Sequence, residues 1–370
     1  MNSLDDTRMM TRALQLARRG RYSAMPNPHV GCVLVRDNSI IGEGFTQPAG
    51  GNHAEIEALE AAGDAAGATA YVTLEPCSHH GKTGPCTEAL IAAGVKRVVA
   101  AMPDPNPLVA GEGIKQLRGA GIDVDVGLLE SEARRVIPGF IARMTRGRGR
   151  VRAKLAMSLD GRTAMASGES QWITGTAARK DVQRLRAASC AIVTGVGTVV
   201  ADDCALTVRS GELGMPRAQA ELAAARQPLR VVLDSNLTVS KAARILGDGG
   251  PSLICHRKGV VPDADLTGSR AEFLELADAD GGLNIADLMT ELAKRQCNEI
   301  LIESGPRVAG SFLRAGLLDE LIVYVAPTLM GSDARPLLQL PLQQMAEKIP
   351  LRMEDVRKVG DDWRFTVKPV

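Results

Sequence analysis

The chain has no long uninterrupted apolar span, so it offers no candidate for a membrane-crossing helix. Its opening, MNSLDDTRMM, is acidic and carries no signal-peptide apolar stretch, so export is not expected. Cysteine is sparse. Seven in 370 residues make no disulfide framework, and a reducing cytoplasm is the expected location. A basic excess is also missing. Net charge is +1, with 15 Lys+Arg against 16 Asp+Glu in residues 1–147 and 29 against 27 in the remainder. Neither part has the positive surplus that polyanionic nucleic acid requires. A small-molecule substrate is therefore expected, with no nucleic-acid partner and no membrane. There is no internal repeat and no low-complexity tract. The oligomeric state is left open, a homo-oligomer included.

What is present suits two α/β domains, 1–147 and 148–370, since 370 residues exceed one typical core. Leu4 to Arg19 has acids at its start, apolar residues at helical spacing and Gly20 as a stop. VGCVLV, a turn at RDNS and IIGEGF read as a β-hairpin. Helices are expected over 53–62, 87–93 and 112–119, and strands at TAYVTL, VKRVVAAM and IDVDVGL. Strands alternating with short helices make a layered α/β domain. At ARMTRGRGRVR, Arg143, Arg146, Arg148, Arg150 and Arg152 crowd two glycines, which reads as a solvated linker. The pattern then restarts with strands at VRAKLAMSLDG, CAIVTGV, LRVVLDS, PSLICH, EILIES and DELIVYV. GELGMPRAQAELAAARQP reads as a loop with a short helical piece.

Chemistry concentrates in HAE (residues 53–55) and EPCSHHGKTGPC (residues 75–86). His53, Cys77 and Cys86 supply three ligands, the number a catalytic zinc takes while a fourth position stays open for water. Cys86 opens a helix, where the positive dipole end favours a thiolate. Glu55 stands two residues from His53, beside the metal without ligating it. Zinc lowers the pKa of water from 15.7 to about 7. A carboxylate can then carry the proton to a ring nitrogen and a departing amine. Zinc deaminases have this arrangement as H-x-E with P-C-x-x-C. Here eight residues separate the cysteines, which argues against cytidine and nucleic-acid substrates. The alternative is a structural zinc closed by His79 or His80, but a structural site has no use for Glu55.

NPHVGCVLV, HAEIEAL, VTLEPCSHHGKTGPC and DPNPLVAGEGI, followed by KLAMSLDGRTA, ESQWIT, GVGTVVADDCALTVR and IESGPRVAG, resemble the bifunctional deaminase/reductases of riboflavin biosynthesis over nearly the whole chain. The resemblance implies a cytidine-deaminase-like domain followed by a dihydrofolate-reductase-like domain. It implies one zinc ion per chain and NADPH. The substrate it implies is a diaminopyrimidinone ribosylamino phosphate, which is deaminated before its ribosyl chain is reduced to ribityl. It places a substrate contact at Asn27 and relates Asp104 and Asn106 to the sugar-phosphate region; plain turn formation is the alternative for those two.

In the second half there is no G-x-G-x-x-G, so a Rossmann fingerprint is absent. Two strands instead end in glycine turns, AIVTGVGTVVADD and EILIESGPRVAGSFL, whose backbone N–H groups can cradle a phosphate. The resemblance implies cofactor contacts at Ala156, Trp172, Thr198, Asp202, Ser235, Gly305, Pro306, Arg307, Val308, Ala309, Gly310 and Ser311. It implies substrate contacts at Ser170, Arg186, Leu206, Arg209 and Glu303. The two arginines suit a phosphate, with surface solvation as their alternative, and core packing is the alternative for Trp172. Cys204 stands where the family has proline, which loosens that turn. Lys154, Asp202 and Glu303 are the candidates for proton handling in the reduction.

Overall fold

VGCVLV and IIGEGF pair as the hairpin expected around the turn at RDNS: β1 (Gly31–Arg36) and β2 (Ser39–Phe45) are antiparallel, with Asp37 and Asn38 at φ 50° and 59° in the turn. Asp and Asn tolerate that left-handed backbone, which matches the twist of the flanking strands. The structure is a computed structural model, and it describes residues 4–79, 84–107, 109–247, 249–279 and 282–370. His80 lies outside the described residues. The chain divides into two compact units, Met1–Arg148 and Gly149–Val370. Among the described residues no helix is long and apolar enough to cross a membrane.

In the first unit, β3 (Thr69–Val72), β4 (Arg97–Ala100) and β5 (Asp123–Val126) complete a sheet of order β2-β1-β3-β4-β5. β3, β4 and β5 run parallel, and β1 is antiparallel to β3. The helices are α1 (Leu4–Ala17), α2 (Ala54–Ala62), α3 (Cys86–Ala92), α4 (Glu112–Gly119), α5 (Glu130–Val136) and α6 (Pro138–Arg146). One core joins Met10, Leu14, Val33, Leu34, Val72, Leu90, Val98, Val99 and Leu117, all under 4% exposed. Two glycines of β2 let α2 sit against the strand. A Cβ on Gly42 would lie 2.2 Å from the carbonyl oxygen of Ala58, and one on Gly44 2.2 Å from that of Ala54.

The second unit has a nine-stranded sheet. Its strands are β6 (Arg150–Ser158), β7 (Ala191–Gly195), β8 (Leu229–Leu233), β9 (Ser252–Arg257), β10 (Glu272–Leu276), β11 (Glu299–Ile302), β12 (Glu320–Ala326), β13 (Leu351–Val359) and β14 (Asp362–Pro369). The order is β10-β9-β8-β7-β11-β6-β12-β14-β13, parallel except for the terminal hairpin β13–β14 and its junction with β12. Helices α7 (Thr176–Ala187), α8 (Val196–Asp202), α9 (Arg217–Ala225), α10 (Ile285–Lys294) and α11 (Pro306–Arg314) connect them. Apolar clusters lie on both sheet faces, as a parallel sheet demands.

The arginine-rich stretch is not a solvated linker. Arg143 and Arg146 belong to α6, which ends on Gly147 at φ 69°. Arg150 and Arg152 lie inside β6, where Arg150 pairs with Glu299 (3.6 Å) and Glu320 (2.5 Å) and Arg152 with Glu299 (3.2 Å). The Arg152 side chain is only 3% exposed. Neighbouring acids on β11 and β12 make burial of these cations tolerable, and composition alone cannot reveal them.

Candidate active sites

The first site forms where two helix N-termini meet. His53 is the N-cap of α2, Glu55 lies in its first turn, and Cys86 is the first residue of α3. His53 Nδ1 lies 3.6 Å from Cys77 Sγ and 3.3 Å from Cys86 Sγ, and the three ligand atoms fall within 4.8 Å of one another. A tetrahedral zinc, with Zn–S about 2.3 Å and Zn–N about 2.0–2.1 Å, sets N and S about 3.6 Å apart. The donor set and its spacing therefore fit the metal. Among the described residues this is the sole such cluster, and His79 is exposed and not part of it.

The electrostatics follow from burial. Cys77 is pulled down by a hydrogen bond from the Cys86 thiol, helped by His53 and by the Cys86 backbone N–H at 3.3 Å; Cys86 is pushed up by the same bond and by burial. The bond to Cys77 raises His53 against its own desolvation. Glu55 is 4% exposed, and burial, then the Cys77 charge, push its carboxyl up to about 7. A carboxyl near neutrality is suited to moving a proton.

Asn27 is half-buried on the loop leading to β1, and its N–H bonds the carbonyl of Ala24 at 3.0 Å. The turn at DPNP forms: the Asn106 N–H donates to Asp104 Oδ1 at 2.8 Å. The Asp104 N–H also donates to Glu75 Oε2 at 3.0 Å, so this turn lies beside the stretch that carries Cys77. The sequence reading did not assign Glu75 a role. It is 3% exposed, and its carboxylate accepts N–H groups from Asp104, Gly111, Gly113 and Ile114 at 2.9–3.2 Å. The available signal is its place in EPC, directly before Pro76 and Cys77.

The second site lies at the carboxyl ends of β6, β11 and β7, which are neighbours in the sheet. Ligands of open α/β sheets bind at such ends. The two glycine turns meet there: the Gly305 N–H donates to Thr198 Oγ1 at 3.3 Å. A Cβ on Gly305 would meet nothing within 4 Å, so the first turn of α11 is open. Further along that helix, Ala309 is fully buried and a Cβ on Gly310 would lie 2.6 Å from the carbonyl oxygen of Gln339. Pro306, Arg307, Val308 and Ser311 retain exposure.

Arg186 grips Glu303 with two bonds, 2.7 and 2.9 Å, in a nearly buried pair. Arg186 is thus not a solvated surface residue. Burial would raise the Glu303 carboxyl, but the Arg186 charge and hydrogen bonds outweigh it and hold it below its ordinary value. Since Ile302 pairs with Ala153, extending the register one residue sets Glu303 beside Lys154. Burial lowers Lys154, opposed by Glu303 and Asp202. Cys204 joins this group, pushed up to about 11 by burial and then by the Glu303 and Asp202 charges.

The other expected contacts lie around these. Trp172 is 72% exposed, with the Arg179 guanidinium 4.8 Å from its ring centroid, so it is not core packing. Gln171 reaches Asp202 at 3.4 Å. Leu206 is buried at φ 50°, and Arg209 is over half exposed and paired with Glu212. Ala156 and Ser170 are half-buried, and Ser235 follows β8 with its carbonyl bonded to Arg257 N–H.

Fold and sites together define a two-unit enzyme: a zinc-dependent deaminase followed by an α/β reductase. Residues 3–102 match the family model for the cytidine and deoxycytidylate deaminase zinc-binding region, and residues 150–365 that for the RibD C-terminal domain. The riboflavin biosynthesis protein RibD of Escherichia coli is 51% identical over 97% of this chain and 98% of its own length. The structure of Acinetobacter baumannii RibD superposes with a TM-score of 0.92 at 46% identity over 99% of both chains. A diaminohydroxyphosphoribosylaminopyrimidine deaminase/5-amino-6-(5-phosphoribosylamino)uracil reductase of Thermotoga maritima gives 0.85 at 31% identity, also over 99% of both. The chain belongs to the RibD family of bifunctional riboflavin-biosynthesis deaminase/reductases. Zinc serves the deaminase half and NADPH the reductase half.

Proposed function

We propose that residues 1–147 deaminate 2,5-diamino-6-ribosylamino-4(3H)-pyrimidinone 5′-phosphate and that residues 148–370 reduce its ribosyl chain to ribityl. The observation that carries the first step is a buried carboxyl near neutrality beside a three-donor cluster spaced for zinc. His53, Cys77 and Cys86 hold the metal, and zinc supplies a water activated for attack at neutral pH. Glu55 moves the proton from the attacking water to the ring nitrogen and then to the departing ammonia. Asn27 orients the pyrimidine, and Asp104 and Asn106 take the sugar-phosphate end.

In the second step NADPH supplies the hydride. The backbone N–H groups of Arg307 and Val308 at the open first turn of α11, with the Arg307 side chain, receive its phosphates, and the Gly305 N–H on Thr198 Oγ1 ties that turn to the neighbouring one. Ala156, Trp172, Asp202, Ser235 and Ser311 complete the cofactor contacts, while Ala309 and Gly310, buried inside α11, hold the helix in place instead of meeting the cofactor. Ser170, Leu206 and Arg209 line the substrate, with Arg209 placed for its phosphate. Glu303 stays an anion in the grip of Arg186 and accepts sugar hydroxyls. Lys154 Nζ then moves the proton, because burial makes it a readier donor than an exposed lysine. The sparse cysteine content suits a reducing cytoplasm, and the balanced charge suits a small-molecule substrate rather than nucleic acid. One assay tests the reading: ammonia release from the diaminopyrimidinone phosphate, followed by NADPH oxidation in the same tube. Ammonia release without subsequent NADPH oxidation refutes the second step; no ammonia release refutes the first, and NADPH oxidation is then tested on separately supplied deaminated substrate.

A further inference from the structure

Glu75 is a carboxylate placed where a carboxylate is expensive. It is 3% exposed, and among the described residues no cation pairs with it. Its oxygens are fully used by backbone: Oε2 accepts from Asp104 and Gly111, both at 3.0 Å, and Oε1 from Gly113 at 2.9 Å and Ile114 at 3.2 Å. Four N–H donors compensate burial of the charge. They also gather Asp104 and the Gly111–Ile114 start of α4 onto one side chain. Only an ionised carboxylate offers acceptors on both oxygens; a glutamine would turn an NH2 toward two N–H groups.

The same segment is built to approach Glu75 closely. A Cβ on Gly113 would lie 2.1 Å from the carbonyl oxygen of Pro76 and 3.2 Å from Glu75 Oε1. A second tie runs through α4: Thr87 Oγ1 donates to Gln116 Oε1 at 2.6 Å and to the carbonyl of Cys77 at 3.2 Å. The loop holding Asp104 and Asn106 is thus fixed against the ligand loop at two points.

We propose that Glu75 is a positioning residue for deamination: it ties the Asp104 backbone to the start of α4 so that Asp104 and Asn106 meet the sugar-phosphate end of the substrate. This rests on the substrate reading above. The test uses the full-length zinc enzyme and its Glu75→Gln, Asp104→Asn and double variants, with zinc content, deamination kcat and KM, and reduction of separately prepared deaminated substrate measured on each. Glu75→Gln retains zinc and reduction, and its deamination kcat/KM falls about ten- to a hundredfold, mostly through KM. Adding Asp104→Asn to Glu75→Gln costs nothing further, because the loop is already displaced. An unchanged KM overturns the proposal, and so do independent, multiplying effects of the two substitutions. Loss of zinc from a folded Glu75→Gln protein also overturns it, since the carboxylate then supports the metal ligands. If Glu75→Gln does not fold, Asp104→Asn alone decides: a KM about tenfold higher with zinc intact upholds the proposal, and an unchanged KM overturns it. Wild-type enzyme that releases no ammonia from this substrate refutes the substrate reading instead.

Discussion

Replacing Gly44 by alanine adds one carbon between β2 and α2. That Cβ would stand 2.2 Å from the Ala54 carbonyl oxygen, whereas real contacts of this kind essentially never fall under 3.0 Å. The helix must therefore withdraw by at least 0.8 Å, the difference between those two distances. Its first residues are the ones that matter, since His53 caps it and Glu55 lies in its first turn. Overpacking of this kind destabilises by about 1–3 kcal/mol, a melting shift of roughly 5 °C for a unit of this size. A misplacement near 1 Å lowers catalysis by about 10², equivalent to roughly 2.7 kcal/mol of barrier. Gly44→Ala should thus melt its first unit earlier and deaminate about a hundredfold more slowly, even with zinc in excess. Reduction of a supplied deaminated intermediate should be unchanged. Ammonia release, zinc-release melting and NADPH oxidation on one preparation make the test. Wild-type deamination in Gly44→Ala would show that α2 does not need this contact to place its catalytic turn, and the reasoning would fall.

Glu55→Gln should retain zinc yet lose about 10²–10⁴ in deamination rate, because the amide cannot carry the proton; full activity in a zinc-replete variant contradicts the shuttle role. Gly305→Val should fold, since its Cβ meets open space, but raise the KM for NADPH while ammonia release persists; joint loss of both activities in folded protein contradicts separate sites. Arg186→Gln removes the bidentate cation and leaves Glu303 buried beside Lys154, which should destabilise the second unit by up to about 3 kcal/mol. Because the folded Glu303 carboxyl lies below its unfolded value, the pair's contribution is complete above about pH 4.3 and is lost as pH falls through the folded pKa. Denaturant melts of both proteins from pH 7 downward should show the gap narrowing only in acid; a gap that widens there reverses the sign argued here.

Local sequence determined what depends on local geometry. The β1–β2 hairpin is encoded by two β-prone runs around a short polar turn and α4 by its helix-forming residues, and His53, Cys77 and Cys86 stand out by residue type because few other groups bind zinc. Glu55 draws attention for the same reason, standing two residues from His53. The chain's tertiary structure decided everything that requires distant strands to become neighbours. Insertion of β11 between β7 and β6 joins the two glycine turns through Gly305 and Thr198 and sets Glu303 between Arg186 and Lys154. The same insertion buries Arg150 and Arg152 against acids more than 140 residues away, where composition had indicated solvent. Helices α5 and α6 and the hairpin β13–β14 were not read at all; β13 is an exposed edge strand whose charged residues hide its period. Glu75 escaped for the plainest reason: its partners are four backbone N–H groups, and a backbone amide has no signature in a sequence until the fold brings it within reach.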